Sequence, residues 1–228
     1  MKLFITSTNT DIGKTYITKE TFKLLQNKGY KVCVFKPFQT EEIEEGKYPD
    51  LEVFLNECNL DYRDTSLYTF KDPVSPHLAF KKEPNKKLDK HKLIEHINML
   101  DLKFDFVLIE GAGGIAVPIY EEKQNFYMTT DLIRETSDFI VSVLPSKLGS
   151  ISDALTHQNY IDNHNLPNNL LVMNNYGDSP IEKDNKETIE KITQKKIYTL
   201  KENGKFSDFS NEYFKQLIGE ALKKRKKV

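Results

Sequence analysis

Two observations predict a three-layer α/β protein with helices on both faces of a doubly wound, mainly parallel sheet. Short continuous apolar runs recur along the 228 residues with helical segments between them, and the first run leads directly into a Gly13-Lys14-Thr15 loop. Continuous rather than alternating runs mark strands buried on both faces, as in a parallel sheet covered by helices. Strands and helices that alternate in this way imply doubly wound connections.

Taken in order, residues 2–6 form the opening strand, and a loop through Thr15 leads into a helix from Tyr16 to Gly29. Ile17, Thr21, Leu24 and Leu25 share one face of that helix, and Gly29 beside Lys28 ends it. Further strands are expected at 31–35, 104–109, 139–144, 169–173 and 196–200. Helices are expected at 49–59, 89–102, 129–136, 150–163, 180–193 and 210–224. Nothing rich in proline, glycine or serine divides the chain, so residues 1–228 are expected to be one domain, with a solvated basic tail at about 223–228.

Composition narrows the function classes. A formal net charge of -1 gives no electrostatic reason to expect nucleic acid. The longest apolar run, Phe139 to Leu144, is far too short to span a bilayer, and a core strand begins at once where a signal peptide would lie. A cytoplasmic protein without membrane attachment is therefore expected. Cys33 and Cys58 read as ordinary thiols, and the five histidines contain no metal-ligand pair.

The loop carries the first chemistry. Backbone N–H groups entering a helix N-terminus cradle phosphate, a lysine adds a charge for the outer phosphates, and the next hydroxyl ligates magnesium. Lys14 and Thr15 fit these roles, which makes the fold of the P-loop nucleotide-hydrolase type. The loop is irregular, however: Thr8, preceded by Ser7, stands where the common pattern has its first glycine.

Ligands in such a fold bind outside the carboxyl ends of the strands, and the unusual residues collect there. Glu110 follows the run Phe106 to Ile109, where these enzymes carry a carboxylate for magnesium, and Gly111-Ala112-Gly113 would let the backbone approach phosphate. Asp50 by itself reads as a helix-start acid. Lys36 ends a strand and is fixed by Pro37, so a buried ammonium there requires an anion, for which a transferring phosphoryl group is the expected partner.

At Thr6 to Thr15, Phe35-Lys36-Pro37-Phe38-Gln39-Thr40, Asp50, Ser75-Pro76-His77, Ile109 to Gly114, Ser146-Lys147-Leu148-Gly149 and Asn174 the chain resembles the dethiobiotin synthetase family, over residues 3 to about 175. The resemblance implies an ATP- and magnesium-dependent ligase of biotin synthesis. A carbamate formed from 7,8-diaminononanoate and carbon dioxide would attack the γ-phosphate of ATP, and the second amine would close the ring. It implies that Lys14 and Lys36, with Thr10 and Asp11, are catalytic, and that Asp11, Ile12, Gly13, Lys14, Thr15 and Tyr16 bind ATP. Asp50, Glu110, Gly111, Ala112, Gly113, Asn174 and Asn175 would complete the nucleotide site, with Asn174 reading adenine. Thr15, Asp50 and Glu110 would surround magnesium. Thr40 and Lys36 would lie along the substrate, whose carboxylate tail would reach Gly149, Ser150 and Asp153 of the partner in a homodimer.

Departures from that pattern are Ser7 in place of glycine, Asp11 in place of glutamate, Glu41 beside Thr40, and a proline-free segment 201–204 that reads as mobile and leaves the base without a wall. The main rival, a partition or cell-division ATPase, would carry an extra lysine early in the loop, which Ser7, Thr8 and Asn9 do not supply, and a D-x-P motif where Glu110-Gly111-Ala112 stands. An amidating enzyme of cobalamin synthesis would need a glutaminase domain for which the chain has no room.

Overall fold

The computed structural model describes residues 1–225, with side chains described through Leu222. The basic tail expected at about 223–228 therefore lies outside the described side chains. In chain order the elements are β1 Lys2–Ser7, α1 Lys14–Asn27, β2 Val32–Phe35, β3 Phe38–Gln39, α2 Pro49–Cys58, α3 Tyr62–Thr65, β4 Tyr68–Thr69, α4 Pro76–Lys82, α5 Lys90–Lys103 and β5 Phe106–Glu110. There follow β6 Pro118–Glu122, β7 Asn125–Met128, α6 Thr129–Thr136, β8 Phe139–Leu144, α7 Ser150–Asn163, β9 Asn169–Met173, α8 Pro180–Thr193, β10 Ile197–Thr199, a 3-10 turn at Phe206–Asp208, and α9 Asn211–Arg225.

Six strands form one sheet in the order β10-β9-β8-β1-β5-β2, and every pairing in it is parallel. The alternation of side chains along a strand sends successive residues to opposite faces, and both faces are apolar here. Leu3 and Ile5 of β1 pack with Ile17 and Leu25 of α1, Leu51 and Phe54 of α2, and Tyr213 and Leu217 of α9. Phe4, between them, packs with Leu93 and Ile97 of α5 and Leu132 and Ile133 of α6. Two helical layers thus enclose the sheet, as the continuous apolar runs predict.

Helix ends follow local chemistry. Ser179 Oγ accepts a hydrogen bond from Glu182 N while Glu182 Oε2 accepts one from Ser179 N, a capping box ahead of Pro180 at the first turn of α8. Asp89 caps α5 through Lys92 N.

The structure adds elements that the sequence reading lacks. The antiparallel hairpin β6-β7 turns at Lys123 and Gln124, both at positive φ (48° and 71°). Such a turn usually advertises itself with Asn-Gly, and neither residue is present. The two-residue pair β3-β4 and the short helices α3 and α4 are likewise too brief to leave a periodic signature.

Candidate active site

β1 and β5 are adjacent, so the loop after β1 and the end of β5 meet at one sheet edge. Gly13 lies at φ +94°, and a Cβ there would fall 2.0 Å from Asn174 Nδ2, so conformation and space both require glycine. Lys14 opens α1 and is nearly buried; its Nζ donates to Ser7 Oγ at 3.1 Å and lies 3.5 Å from the Asn9 carbonyl. Burial first, and the Lys36 charge second, hold its ammonium below the ordinary lysine range.

Behind Lys14, three side chains from three elements converge. Thr15 Oγ1 lies 2.8 Å from Asp50 Oδ1 on α2 and 2.8 Å from Glu110 Oε1 at the end of β5. One hydroxyl proton cannot satisfy both carboxylates, so this knot of oxygens calls for a cation. Lys36 supplies one: its Nζ sits 2.5 Å from Asp50 Oδ2 and 2.8 Å from Glu110 Oε1. Two carboxylates of the chain thus lie against the Lys36 ammonium, and a pairing such as that with Glu110, 74 positions away, is invisible in a linear motif. Burial alone would lower the Lys36 pKa, but Glu110 and then Asp50 raise it, so the ammonium stays charged. Burial would likewise raise Asp50, yet the Lys36 charge holds its carboxyl below the usual range.

Hard oxygen donors of this kind, two carboxylates and a hydroxyl beside a phosphate loop, suit magnesium, with phosphate and water completing its shell. Among the described residues no group of three or more His, Cys, Asp and Glu is placed to hold a metal ion by itself.

The sequence-predicted residues Thr10, Asp11, Gly13, Lys14, Thr15, Lys36, Thr40, Asp50, Ala112 and Gly113 line one cavity of about 410 Å³. Glu110 lies beneath it, fully buried, and Gly111 follows on the strand, where an added Cβ would meet the Phe4 ring at 2.9 Å. On the other side of the loop, Asn174 Nδ2 donates to the Ile12 carbonyl while its Oδ1 is buried without a partner. Asn175 is exposed, and its carbonyl accepts from Ser146 Oγ. Gly149 precedes α7 at φ +96°, Ser150 is buried with an unpartnered Oγ, and neither lines that cavity. Asp153 lines a second cavity, of about 370 Å³, which shares Thr10 with the first.

Segment 201–204 is not the loose stretch expected. Tyr16 OH donates to the Gly204 carbonyl at 2.6 Å, and Phe206 N donates to Glu20 Oε2 at 2.6 Å, so α1 anchors it. The sequence reading also missed Thr18, whose hydroxyl donates to Glu110 Oε2 at 2.5 Å. Its place one helical turn after Lys14 is the signal that could have found it.

A lysine-bearing phosphate loop at the head of a parallel sheet, with a hydroxyl and two carboxylates at the same edge, defines a P-loop nucleotide-binding protein. A family model described as an AAA domain matches residues 1–200. The septum site-determining protein MinD of Pyrococcus horikoshii, solved with Mg-ADP, shares the fold at TM-score 0.55 and 17% identity, over 88% of this chain and 80% of that one. MinD of Aquifex aeolicus does so at TM-score 0.54 and 16% identity, over 88% and 82%. Much greater similarity lies elsewhere. ATP-dependent dethiobiotin synthetase BioD of Staphylococcus epidermidis is 61% identical over 96% of this chain and 98% of its own length. The Clostridium botulinum enzyme of the same name is 36% identical over 94% and 96%. The chain belongs to the ATP-dependent dethiobiotin synthetase family.

Proposed function

We propose that this chain closes the ureido ring of dethiobiotin from 7,8-diaminononanoate and carbon dioxide at the expense of ATP, as an ATP-dependent carbon-nitrogen ligase of biotin synthesis. The observation that carries this reading is the convergence of Lys14, Lys36 and Thr40 on one cavity above the Thr15-Asp50-Glu110 cluster.

The reaction proceeds in three balanced steps. A neutral primary amine of the substrate attacks carbon dioxide and loses a proton, giving a carbamate. A carbamate oxygen then attacks the γ-phosphorus, the bond to ADP breaks, and a carbamic-phosphoric anhydride results. Finally the second amine attacks the carbonyl carbon and loses a proton, the bond to phosphate breaks, and the ring closes. The loop amides and Lys14 hold the phosphates, while Lys36 turns its ammonium toward the charge developing between carbamate and γ-phosphate. Lys36 has to relax its hold on Asp50 and Glu110 to do so. Thr15, Asp50 and Glu110 would hold magnesium, which would supply charge neutralisation on the phosphate oxygens. Thr10 and Asp11 lie at the loop rim, where they orient the carbamate, and Thr40 contacts the diamine.

Asn174, with Asn175, faces the base side of the loop, and Tyr16 ties down the segment beside it. The substrate carboxylate is assigned to Gly149, Ser150 and Asp153 at the start of α7 in the partner of a homodimer, where helix N–H groups favour an anion. The 228 residues act as one unit in the cytoplasm. Among the described residues no helix is long and apolar enough to cross a membrane.

The deciding experiment incubates purified protein with ATP, magnesium, bicarbonate and the diamine, and follows the cyclic urea by mass spectrometry. ATP hydrolysis without the urea would favour the partition-type switch instead.

A further inference from the structure

Ser7 has no part in the reaction described above, yet its placement is unusual. It is the last residue of β1, fully buried, and it stands where the resembled loop pattern has glycine and therefore no side-chain oxygen. Its hydroxyl donates to the Asn9 carbonyl at 2.5 Å. With its one proton committed there, the Ser7 oxygen can turn only lone pairs toward Lys14 Nζ, 3.1 Å away. Among the described residues Lys14 has no carboxylate within ion-pair distance. The neighbouring charges are Lys36 at the end of β2, Glu110 on β5, Asp50 on α2 and Asp11 in the loop itself. The Asn9 carbonyl, at 3.5 Å, is the weaker second acceptor.

An ammonium has three donors on a flexible four-carbon stem, and a buried one costs free energy unless its donors are met. Ser7 meets one donor and fixes the direction of the stem, leaving a donor for an incoming phosphate. Lysine entropy that would be lost on nucleotide binding is thereby lost on folding.

We propose that Ser7 is a positioning residue for nucleotide binding, acting by holding the Lys14 ammonium inside the phosphate loop. The proposal rests on the reading of that loop as the ATP cradle.

A double-mutant cycle tests it, with ADP and the non-hydrolysable analogue AMP-PNP titrated calorimetrically in magnesium against the full-length protein. Ser7→Ala is expected to weaken both nucleotides by about fivefold to tenfold, the net worth of one hydrogen bond. The KM for ATP should rise by the same factor, and the KM for the diamine should not move. In a Lys14→Gln background the same Ser7→Ala change should cost less than about twofold, because the group it positions is gone. Equal losses in both backgrounds would make Ser7 a general support of the loop and overturn the proposal, as would no loss in either. Should Ser7→Ala not fold, as judged by circular dichroism and thermal melting, Ser7→Gly enters the same cycle, since it removes the oxygen without asking for space. Lys14→Gln that binds nucleotide like the parent would instead overturn the phosphate-cradle reading, and the Ser7 proposal with it.

Discussion

Lys36 Nζ lies 2.8 Å from Glu110 Oε1, and the same ammonium reaches Asp50 Oδ2 at 2.5 Å, so one cation from the end of β2 neutralises acids from β5 and α2. Glu110 is fully buried, and a buried carboxylate deprived of its counter-charge is costly. The residue assigned to transition-state stabilisation therefore also holds the resting site together.

Lys36→Gln should show both roles. Turnover is expected to fall on the order of a hundredfold or more. In addition, urea denaturation without ligands should register a loss of about 3 kcal/mol, the lower range for breaking a buried pair. Magnesium and nucleotide together should narrow that stability gap, because they place positive charge beside the same carboxylates. Normal turnover in the variant would remove the catalytic role, and unchanged stability would remove the structural one.

Asp50→Ala is expected to raise the magnesium concentration for half-maximal activity severalfold, since one of three protein oxygens is lost from the proposed hard-cation site. Glu110→Gln should be more damaging. Its oxygens serve Thr15, Lys36 and Thr18 at once, whereas Asp50 serves Thr15 and Lys36. If Asp50→Ala matches the parent across a magnesium titration, Asp50 is only a helix-start acid.

Glu182 sets an acid limit on stability. Hydrogen bonds from Ser146 Oγ, Gly177 N and Ser179 hold its carboxyl at about 2. The folded value lies below the unfolded one of about 4.3, so the contribution is complete above that pH and is lost as pH falls toward 2. Glu182→Gln should lower the melting temperature at neutral pH and flatten its dependence on pH between about 4.3 and 2, the window the two values define. A parallel melting curve in that window would assign the acid limb to other carboxylates.

The parts of the fold legible in the sequence are those with strong periodic signals. Strands β8 and β9 and helices α6, α7 and α8 have the expected bounds, because each is either a continuous apolar run or an amphipathic stretch with a clear start. The hairpin at Lys123-Gln124 was hidden, because residues without turn preference adopt positive φ under tertiary constraint. At the site, residue types and their order along the chain revealed the participants, Lys14, Thr15, Lys36, Asp50 and Glu110. Pairings between them did not emerge from that order. Lys36 was read as needing an anion, which is right, but which anion depends on the distance between β2, α2 and β5. The anchoring of Gly204 by Tyr16 depends on contact across 188 positions, and composition alone made that segment read as loose.

The homodimer can be tested through Leu148, which is 92% exposed immediately before Gly149 at the head of α7. A large apolar side chain standing free beside a proposed subunit contact should be covered in the assembly. Sedimentation velocity is expected to find a dimer, and Leu148→Glu should shift it toward monomer and raise the KM for the diamine. A fully active monomer would contradict a substrate site completed by the partner.

The proposed role of Asn174 as reader of the base predicts a selectivity. Its Nδ2 is committed to the Ile12 carbonyl, which leaves the buried Oδ1 as a free acceptor. Adenine and cytosine present an exocyclic amine that can donate to it, whereas guanine and uracil present a carbonyl at the corresponding edge. A wrong base therefore leaves Oδ1 unpaired as well as losing a bond. The loss should stay near 1 kcal/mol, the net worth of one hydrogen bond, because Asn175 beside it is exposed and water can reach that side. Competition binding should rank ATP and CTP together, with GTP and UTP weaker by about fivefold. Asn174→Ala should compress that ranking without abolishing phosphate-driven binding. A thousandfold preference for ATP over CTP would instead mean that the anchored segment 201–206 encloses the purine and reads its shape.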